Sequence, residues 1–440
     1  MMNDSNQKPD DLDQSRDVIT VQARLADSDL IIGPADREIL RRLAGITAEL
    51  AARPIEDEKR RHWTSHNSLE KTRPPILCDP ENGWREIITL NQMKCVNPLA
   101  RQWEMHLRKE IFWGERMNDD YTVQPFFDVP HVHSPLDWGL KEKRIGGEDG
   151  GAYRWESPIK SIEDVEKLHF PEINVDSDAT DRIENITSEI FEGLLTVRVK
   201  TLWWWSLGMT RLLVELRGLQ QIMYDVYQDP GILHRIMTVL RDGTMAMLDE
   251  LEKKGLLSLS SDGTYIGSGG LGWTSELPGV DYDGRVRCRD MWGFSESQET
   301  TGVSPDTFAE FIFPYQKPIL ERFGLNCYGC CEPMHQRWHV IEQIPNLRRV
   351  SASPWTDKEK MAQQLEDKYI FSLKPNPVDL AMDSFDEDRI RRELREVLSI
   401  IRGCRVEIIM KDNHTIRKDP SRVIRWVQIA KEESENMAAG

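Results

Sequence analysis

Phe323-Gly324-Leu325-Asn326-Cys327-Tyr328-Gly329-Cys330-Cys331-Glu332-Pro333 opens the part of the chain where the fold is decided. A helical pattern stops at Gly324, a short apolar run follows, and it ends at Glu332-Pro333. From there strand and helix patterns alternate to the C-terminus. Leu347–Ser351, Lys368–Leu373 and Arg405–Met410 read as strands, each followed by a helix-period stretch. The helices are expected near Met334–Ile344, Lys358–Leu365, Asp386–Ile401 and Pro420–Lys431, with Gly403 as a stop. Alternation with short loops demands crossovers between parallel strands. The expected fold class is therefore α/β, as a (β/α)8 barrel with an N-terminal helical extension; a doubly wound open sheet is the alternative.

Upstream the pattern continues less regularly. Residues up to about Ser28 are polar and are expected to form a mobile arm, and Pro34–Ala52 has helical spacing. Arg73-Pro74-Pro75-Ile76-Leu77-Cys78 reads as a first strand, because the Pro-Pro step enforces extended backbone. The segment from Lys141 to Ile173, rich in glycine around Gly146, Gly147, Gly150 and Gly151, is expected to leave the core as a hairpin or lid. Leu194–Val199 and Leu256–Leu259 read as strands, and Met209–Tyr224 and Pro230–Lys254 as helices. Ser304-Pro305 starts a further helix that should kink at Pro314 or Pro318, with Gly324 as its C-cap. The domain division is an arm and helix over 1–58, then a barrel over 59–440.

The chain has 440 residues, 39% of them hydrophobic, with 14 Trp and a formal charge of −17. That charge argues against nucleic acid or an anionic membrane as a partner. No apolar run is long enough to span a bilayer and no signal peptide is expected at the start. Seven cysteines, an odd number in so long a chain, suggest free or metal-bound thiols in a reducing, cytoplasmic setting.

Functional residues in such a barrel follow the strands' C-terminal ends. This picks out His66, Cys78, Trp203, Trp204, Trp205, Asp262, Glu296 to Glu299, Cys330, Cys331, Glu332, Trp355, Lys374 and the Lys411-Asp412-Asn413-His414 cluster. The tryptophans would line an aromatic-friendly pocket. His414, placed directly after a strand, is a candidate ligand or acid–base group. Together with Cys330, Cys331 or Glu332 it could hold zinc with one position left for substrate. Both thiols can face one ion only if the strand gives way to a loop there, since strand neighbours point to opposite faces.

Val303-Ser304-Pro305-Asp306-Thr307-Phe308 through Phe313-Pro314-Tyr315-Gln316-Lys317-Pro318-Ile319 resembles the Leu-Ser-Pro…Phe…Pro-Tyr segment of the uroporphyrinogen decarboxylase superfamily. In order of elements the resemblance covers most of residues 60–433. It implies a (β/α)8 barrel and either decarboxylation or methyl transfer to or from a corrinoid protein or a thiol. Arg73-Pro74-Pro75-Ile76-Leu77-Cys78-Asp79 matches only the start of the decarboxylase's Arg-rich signature. The His-x-Cys-Gly of corrinoid methyltransferases is replaced by Asn326-Cys327-Tyr328-Gly329, and their last-strand Cys falls near Asp412–His414. A shifted ligand set of Cys330, Cys331, Glu332 and His414, or Asp412, would be required.

Tyr328-Gly329-Cys330-Cys331-Glu332-Pro333, with Asn346-Leu347-Arg348-Arg349 and Lys411-Asp412-Asn413-His414-Thr415, is similar to the branch of that superfamily found in anaerobic aromatic O-demethylase systems. The resemblance implies demethylation of a small methoxylated aromatic compound. The methyl group would pass to the Co(I) cofactor, a cobalamin-type corrinoid, of a separate corrinoid protein. No Asp-x-His-x-x-Gly corrinoid loop occurs in this chain, in keeping with a separate carrier. The implied site has His414, Asp412 and Glu332 as catalytic groups and a zinc ion on Cys330, Cys331, Glu332 and His414. Trp203, Trp204, Trp205, Glu296, Tyr328 and Lys374 would bind substrate. A decarboxylase and a non-catalytic small-molecule-binding barrel are the alternatives; a homodimer is compatible with the fold.

Overall fold

The computed structural model describes residues 30–146 and 153–439. The expected N-terminal arm and the glycines at 147, 150 and 151 lie outside them. Eight parallel strands carry the architecture: β1 (Ile76–Cys78), β2 (Phe126–Val129), β5 (Thr196–Val199), β6 (Trp292–Ser295), β7 (Leu325–Tyr328), β8 (Leu347–Ala352), β9 (Ile370–Leu373) and β10 (Arg405–Met410). The remaining two, β3 (Lys143–Gly146) and β4 (Tyr153–Glu156), make an antiparallel hairpin within the segment expected to leave the core. Six strands form one parallel sheet in the order β1-β10-β9-β8-β7-β6, and β2 pairs with β5 in a second.

Among the described residues the ladder does not close into a continuous barrel. At both edges of the six-stranded sheet, side chains take the place of a neighbouring strand. Asp120 and Asp119 carboxylates accept the backbone N–H groups of Ile76 and Cys78 at 2.7 and 2.9 Å. At the other edge Ser260 Oγ accepts from the N–H of Trp292 at 3.0 Å. These edge donors are satisfied without extending the sheet, which blunts both edges as templates for a further strand. Leu256–Leu259, expected as a strand, runs next to this edge without joining a ladder.

The two faces of the strands divide by alternation. Val406, Ile408 and Met410 point outward into the largest core, against helices such as Glu387–Ile400 and Ser421–Ala439. Glu407, Ile409 and Lys411 lie on the opposite face. Ile409 packs with Trp63, Leu77 and Leu271, and below it Glu407 is fully buried, 2.9 Å from Arg349 Nε on β8. Arg349 also donates to Asn67 Oδ1, and His66 Nε2 lies 3.4 Å from Glu407, so the helix Pro54–Asn67 is keyed to this inner face. The preceding helix, Pro34–Ala51, packs its Leu40 and Leu43 with Trp103 and Phe127, in the core that also backs the β2–β5 pair.

Several boundaries differ from the sequence expectation for local reasons. The helix expected over Met209–Tyr224 is broken at Gly218, whose φ of +85° no helix accommodates. The Ser304-capped helix stops at Phe311 and restarts at Phe313, with Pro314 in the first turn of the new segment, where its missing N–H is harmless. Gly324 is no helix cap. It lets the chain pass the carbonyl of Arg289, which a Cβ would approach to 2.3 Å. No described helix is long and apolar enough to cross a membrane.

The inner ion pair sets a stability prediction. Burial opposes charge on Glu407, but the Arg349 guanidinium, together with His66 and Lys374, outweighs it and holds the carboxyl down at about 2. Glu407→Ala leaves Arg349 buried and uncompensated and should cost ~3–5 kcal/mol in urea unfolding, whereas the double change Glu407→Leu/Arg349→Met should lose much less. A depressed folded-state pKa gives stability that is complete above about pH 4.3 and drains away as pH falls toward 2. The Glu407→Ala variant should lack that part of the acid slope.

Candidate active site

A cavity of about 690 Å³ opens at the C-terminal ends of the strands, the place where ligands bind in parallel α/β folds. Its walls are aromatic. Trp203, Trp204 and Trp205 all line it, together with Trp113, Trp155, Trp292 and Phe294. Most of the indole N–H groups are tied to backbone carbonyls: Trp205 to Gly267 and Trp292 to Gly272 at 3.0 Å each, and Trp113 to Cys78 at 3.3 Å. Trp113 also stacks on Tyr121 with ring centroids 4.0 Å apart. Such anchoring fixes the rings as rigid apolar walls.

One corner of the cavity is polar and is built from three strand ends. Strand β7 stops at Tyr328, and Gly329 turns the chain at φ +90°, where a Cβ would also sit 2.8 Å from Met334 Cγ. This is the loop that the alternation argument required. It brings Cys330 Sγ to 3.6 Å from Cys331 Sγ. From β10 comes Lys411, whose ammonium is 3.6 Å from Cys330 Sγ and 3.1 Å from Asp412. From β1 come Asp79 and Glu81, which with Cys330, Lys411, Asp412 and Tyr265 line the corner.

The charges in this corner act on one another. A hydrogen bond from the Cys331 thiol, opposed by burial and helped by the Lys411 cation, lowers the Cys330 thiol to about 7. The Cys331 thiol is driven the other way, first through that same hydrogen bond. Glu81 is raised to about 7 by burial, with Asp412 and Cys330 adding repulsion and Lys411 opposing. Burial would neutralise Lys411, but the Cys330, Asp412 and Glu81 charges hold it protonated. At neutral pH the corner therefore holds a nucleophilic sulfur beside a carboxyl that can still carry its proton.

The four side chains expected to bind zinc do not make one ligand set. Glu332 is fully buried and spent on the loop: its oxygens accept from Ser297 N at 2.7 Å, Ser297 Oγ at 3.2 Å and Cys330 N at 2.8 Å. His414 is exposed, lies 3.3 Å from Asn82 Nδ2, and does not line the cavity. Cys330, Cys331 and Asp412 do converge, with Cys331 Sγ 3.8 Å from Asp412 Oδ2. Even so, no group of three His, Cys, Asp or Glu side chains among the described residues is arranged to hold a metal ion. Zinc therefore does not fit these donors as they stand.

Of the expected substrate-binding residues, only the three tryptophans reach the cavity. Tyr328 is buried on the helix side, donating to Gln316 Oε1 at 2.6 Å. Lys374 is buried against Ser372, and burial lowers it to about 8. Glu296 lies behind the wall, bonded to Ser206 Oγ at 3.1 Å and Gln298 N at 2.9 Å. Burial first, then Glu299 and Glu332, push its pKa well up. Its neighbour Glu299 lines the cavity. The residues missed from sequence are Glu81, Arg198, Lys200 and Tyr265. Glu81 sits just past β1 as Lys411 sits just past β10, so its position carried a signal. Arg198 on β5 and Lys200 just past it both reach the cavity, where Asp128 and Asp262 hold them in ion pairs of 2.7 and 2.8 Å.

No family model matches the chain, and no curated protein matches its sequence. Among solved structures, a methyltransferase from Methanosarcina mazei aligns with a TM-score of 0.47 and 10% identity, covering 85% of this chain and 98% of that one.

The thiol pair is open to a direct check. Iodoacetamide alkylation of Cys330, followed by peptide mass spectrometry, should titrate with a midpoint near pH 7. Lys411→Met and Cys331→Ala should each move the midpoint upward, because each removes a group that stabilises the thiolate. A wild-type midpoint at or above 8.5 would refute this account of the corner.

Proposed function

We propose that the chain is a methyltransferase that demethylates a small methoxylated aromatic compound and hands the methyl group to the cobalt of a separate corrinoid protein. The observation that carries this reading is the join of an aromatic-walled cavity to a corner holding a protonatable carboxyl, Glu81. An aryl ether expels its oxygen poorly unless that oxygen gains a proton as the bond to carbon breaks. The tryptophans would hold the ring and Glu81 would donate the proton, so that the aromatic product leaves as a neutral phenol. Cys330 helps to keep that proton available, since its negative charge raises Glu81. When docked, the corrinoid supplies the nucleophile that takes the methyl group. The resemblance of the Cys-Cys-Glu and Lys-Asp-Asn-His segments to the O-demethylase branch favours the same assignment. We also read the two parallel sheets as arcs of one (β/α)8 barrel, since their eight strands follow one another in parallel.

The decarboxylase alternative requires arginines converging on a polyanion. Among the described residues only two arginines, Arg198 and Arg211, line the cavity, and both are bound to carboxylates. The deciding assay supplies a Co(I) corrinoid protein and methoxylated aromatics and follows phenol release. Activity should fall as pH rises above about 7, because Glu81 loses its proton there. Glu81→Gln should lower the rate ~10²–10⁴-fold. Undiminished turnover in Glu81→Gln would remove the acid from the mechanism, and absence of transfer from every methoxylated aromatic tried would remove the function.

A further inference from the structure

The cavity has a charge pattern that bears on which aromatic it takes. Among the described residues four cationic side chains line it, and each is already engaged by a carboxylate. Arg198 Nε is 2.7 Å from Asp128, with Nη1 3.3 Å from Asp262; Lys200 is 2.8 Å from Asp262; Arg211 is 3.0 Å from Glu215; and Lys411 is 3.1 Å from Asp412. Eight carboxyl side chains line the same space, twice the number of cations. A substrate carboxylate would have to displace one of those partners and would add negative charge to an already negative cavity.

Glu299 is placed differently from the paired acids. No cation holds its oxygens: they are bonded by Thr210 Oγ1 at 2.7 Å, by Gln298 Nε2 at 3.4 Å and by the Glu296 carboxyl, whose pKa is pushed well up, and it faces the cavity. It follows β6, while Glu81 follows β1, and these two strands are the opposite edges of the six-stranded sheet. The two carboxyl groups thus enter one cavity from elements at opposite edges of the sheet, and tryptophans line the same cavity. Aromatic faces add their own attraction for cations.

We propose that the methyl donor is an aromatic methyl ether bearing a protonated amine across the ring from its methoxy group, with the ammonium received by Glu299 and the Trp walls. This rests on the reading of the site as an aryl O-demethylase, which it narrows from any methoxylated aromatic to the cationic ones.

The test uses three probes of matched size on the full chain at pH 7.5, with binding followed by tryptophan fluorescence and calorimetry: 4-methoxybenzylamine, 4-methoxybenzyl alcohol and 4-methoxybenzoate. The amine should bind at least tenfold more tightly than the alcohol, and the benzoate should give no saturable signal. Added salt should weaken the amine but not the alcohol. Glu299→Gln, nearly the same shape, should bring the amine close to the alcohol, with circular dichroism confirming the fold. Benzoate binding as tight as the amine, equal binding of all three, or binding of none would overturn the proposal. The two readings fail separately: an amine that binds as expected but yields no methyl to a Co(I) corrinoid protein removes the function and leaves the charge preference. Demethylation of the neutral or anionic probes in preference to the amine does the reverse.

Discussion

The ion pair between Glu407 and Arg349, sealed on the inner face of the sheet, is the constraint from which the rest of the structure is built. Two charges removed from water are tolerated only where their partners are fixed. Here that means β10 and β8 held in register across β9, with Ser372 also donating to Glu407. Asn67 ties Arg349 to the helix before β1 and reaches the Leu271 and Trp273 carbonyls beyond β5, so five separated parts of the chain meet at one point. A chain that missed this register would leave a bare charge in the interior. The pair therefore selects one arrangement of strands and contributes less to net stability than its short distance suggests.

With that floor fixed, alternation along the strands determines what reaches the mouth. Glu407, Ile409 and Lys411 share one face of β10, so placing Glu407 inward also aims Lys411 at the cavity. Leu77 and Asp79 on β1 follow the same rule. Cys330 does not, because the strand carrying Tyr328 is cut short by a left-handed Gly329. Only that turn allows adjacent cysteines to lie side by side, and the Glu332 carboxylate closes the turn by accepting from Cys330 N and Ser297 N. The carboxylate expected to bind metal is thus the group that shapes the loop for the thiols.

The reading from sequence was strongest where pattern is local. Lys358–Leu365 and Arg405–Met410 have the bounds their periodicity gave. The alternation of parallel strands from β7 onward was equally legible, because buried parallel strands leave short apolar runs between amphipathic helices. The open edges were not legible. Asp119 and Asp120 look like any acidic pair before a strand, and only the tertiary contact shows them substituting for a missing neighbour. In the site, Cys330 and the tryptophans lie at the cavity because they follow strands. That Glu332 turns into its own loop and His414 away from the cavity was not legible, since sequence position does not say which side a loop side chain takes. Arg198 and Lys200 were passed over because charged residues within a strand suggest solvent, not a polar cavity.

The polar corner also has an internal logic of proton balance. Glu81 and Cys330 both titrate near neutrality and each raises the cost of ionising the other, so the corner favours holding one proton between the two. Burial keeps it on Glu81, while the Cys331 hydrogen bond and Lys411 favour the Cys330 thiolate. The Lys411 ammonium lies against Cys330 Sγ and stabilises the thiolate directly. Were Lys411 absent, the thiol would hold its proton more tightly, and burial would still keep Glu81 protonated near neutrality, with that cation no longer favouring its carboxylate. Burial is then what makes an acid available at neutral pH, while the cation that helps keep the sulfur ionised is carried just past the same strand that buries Glu407.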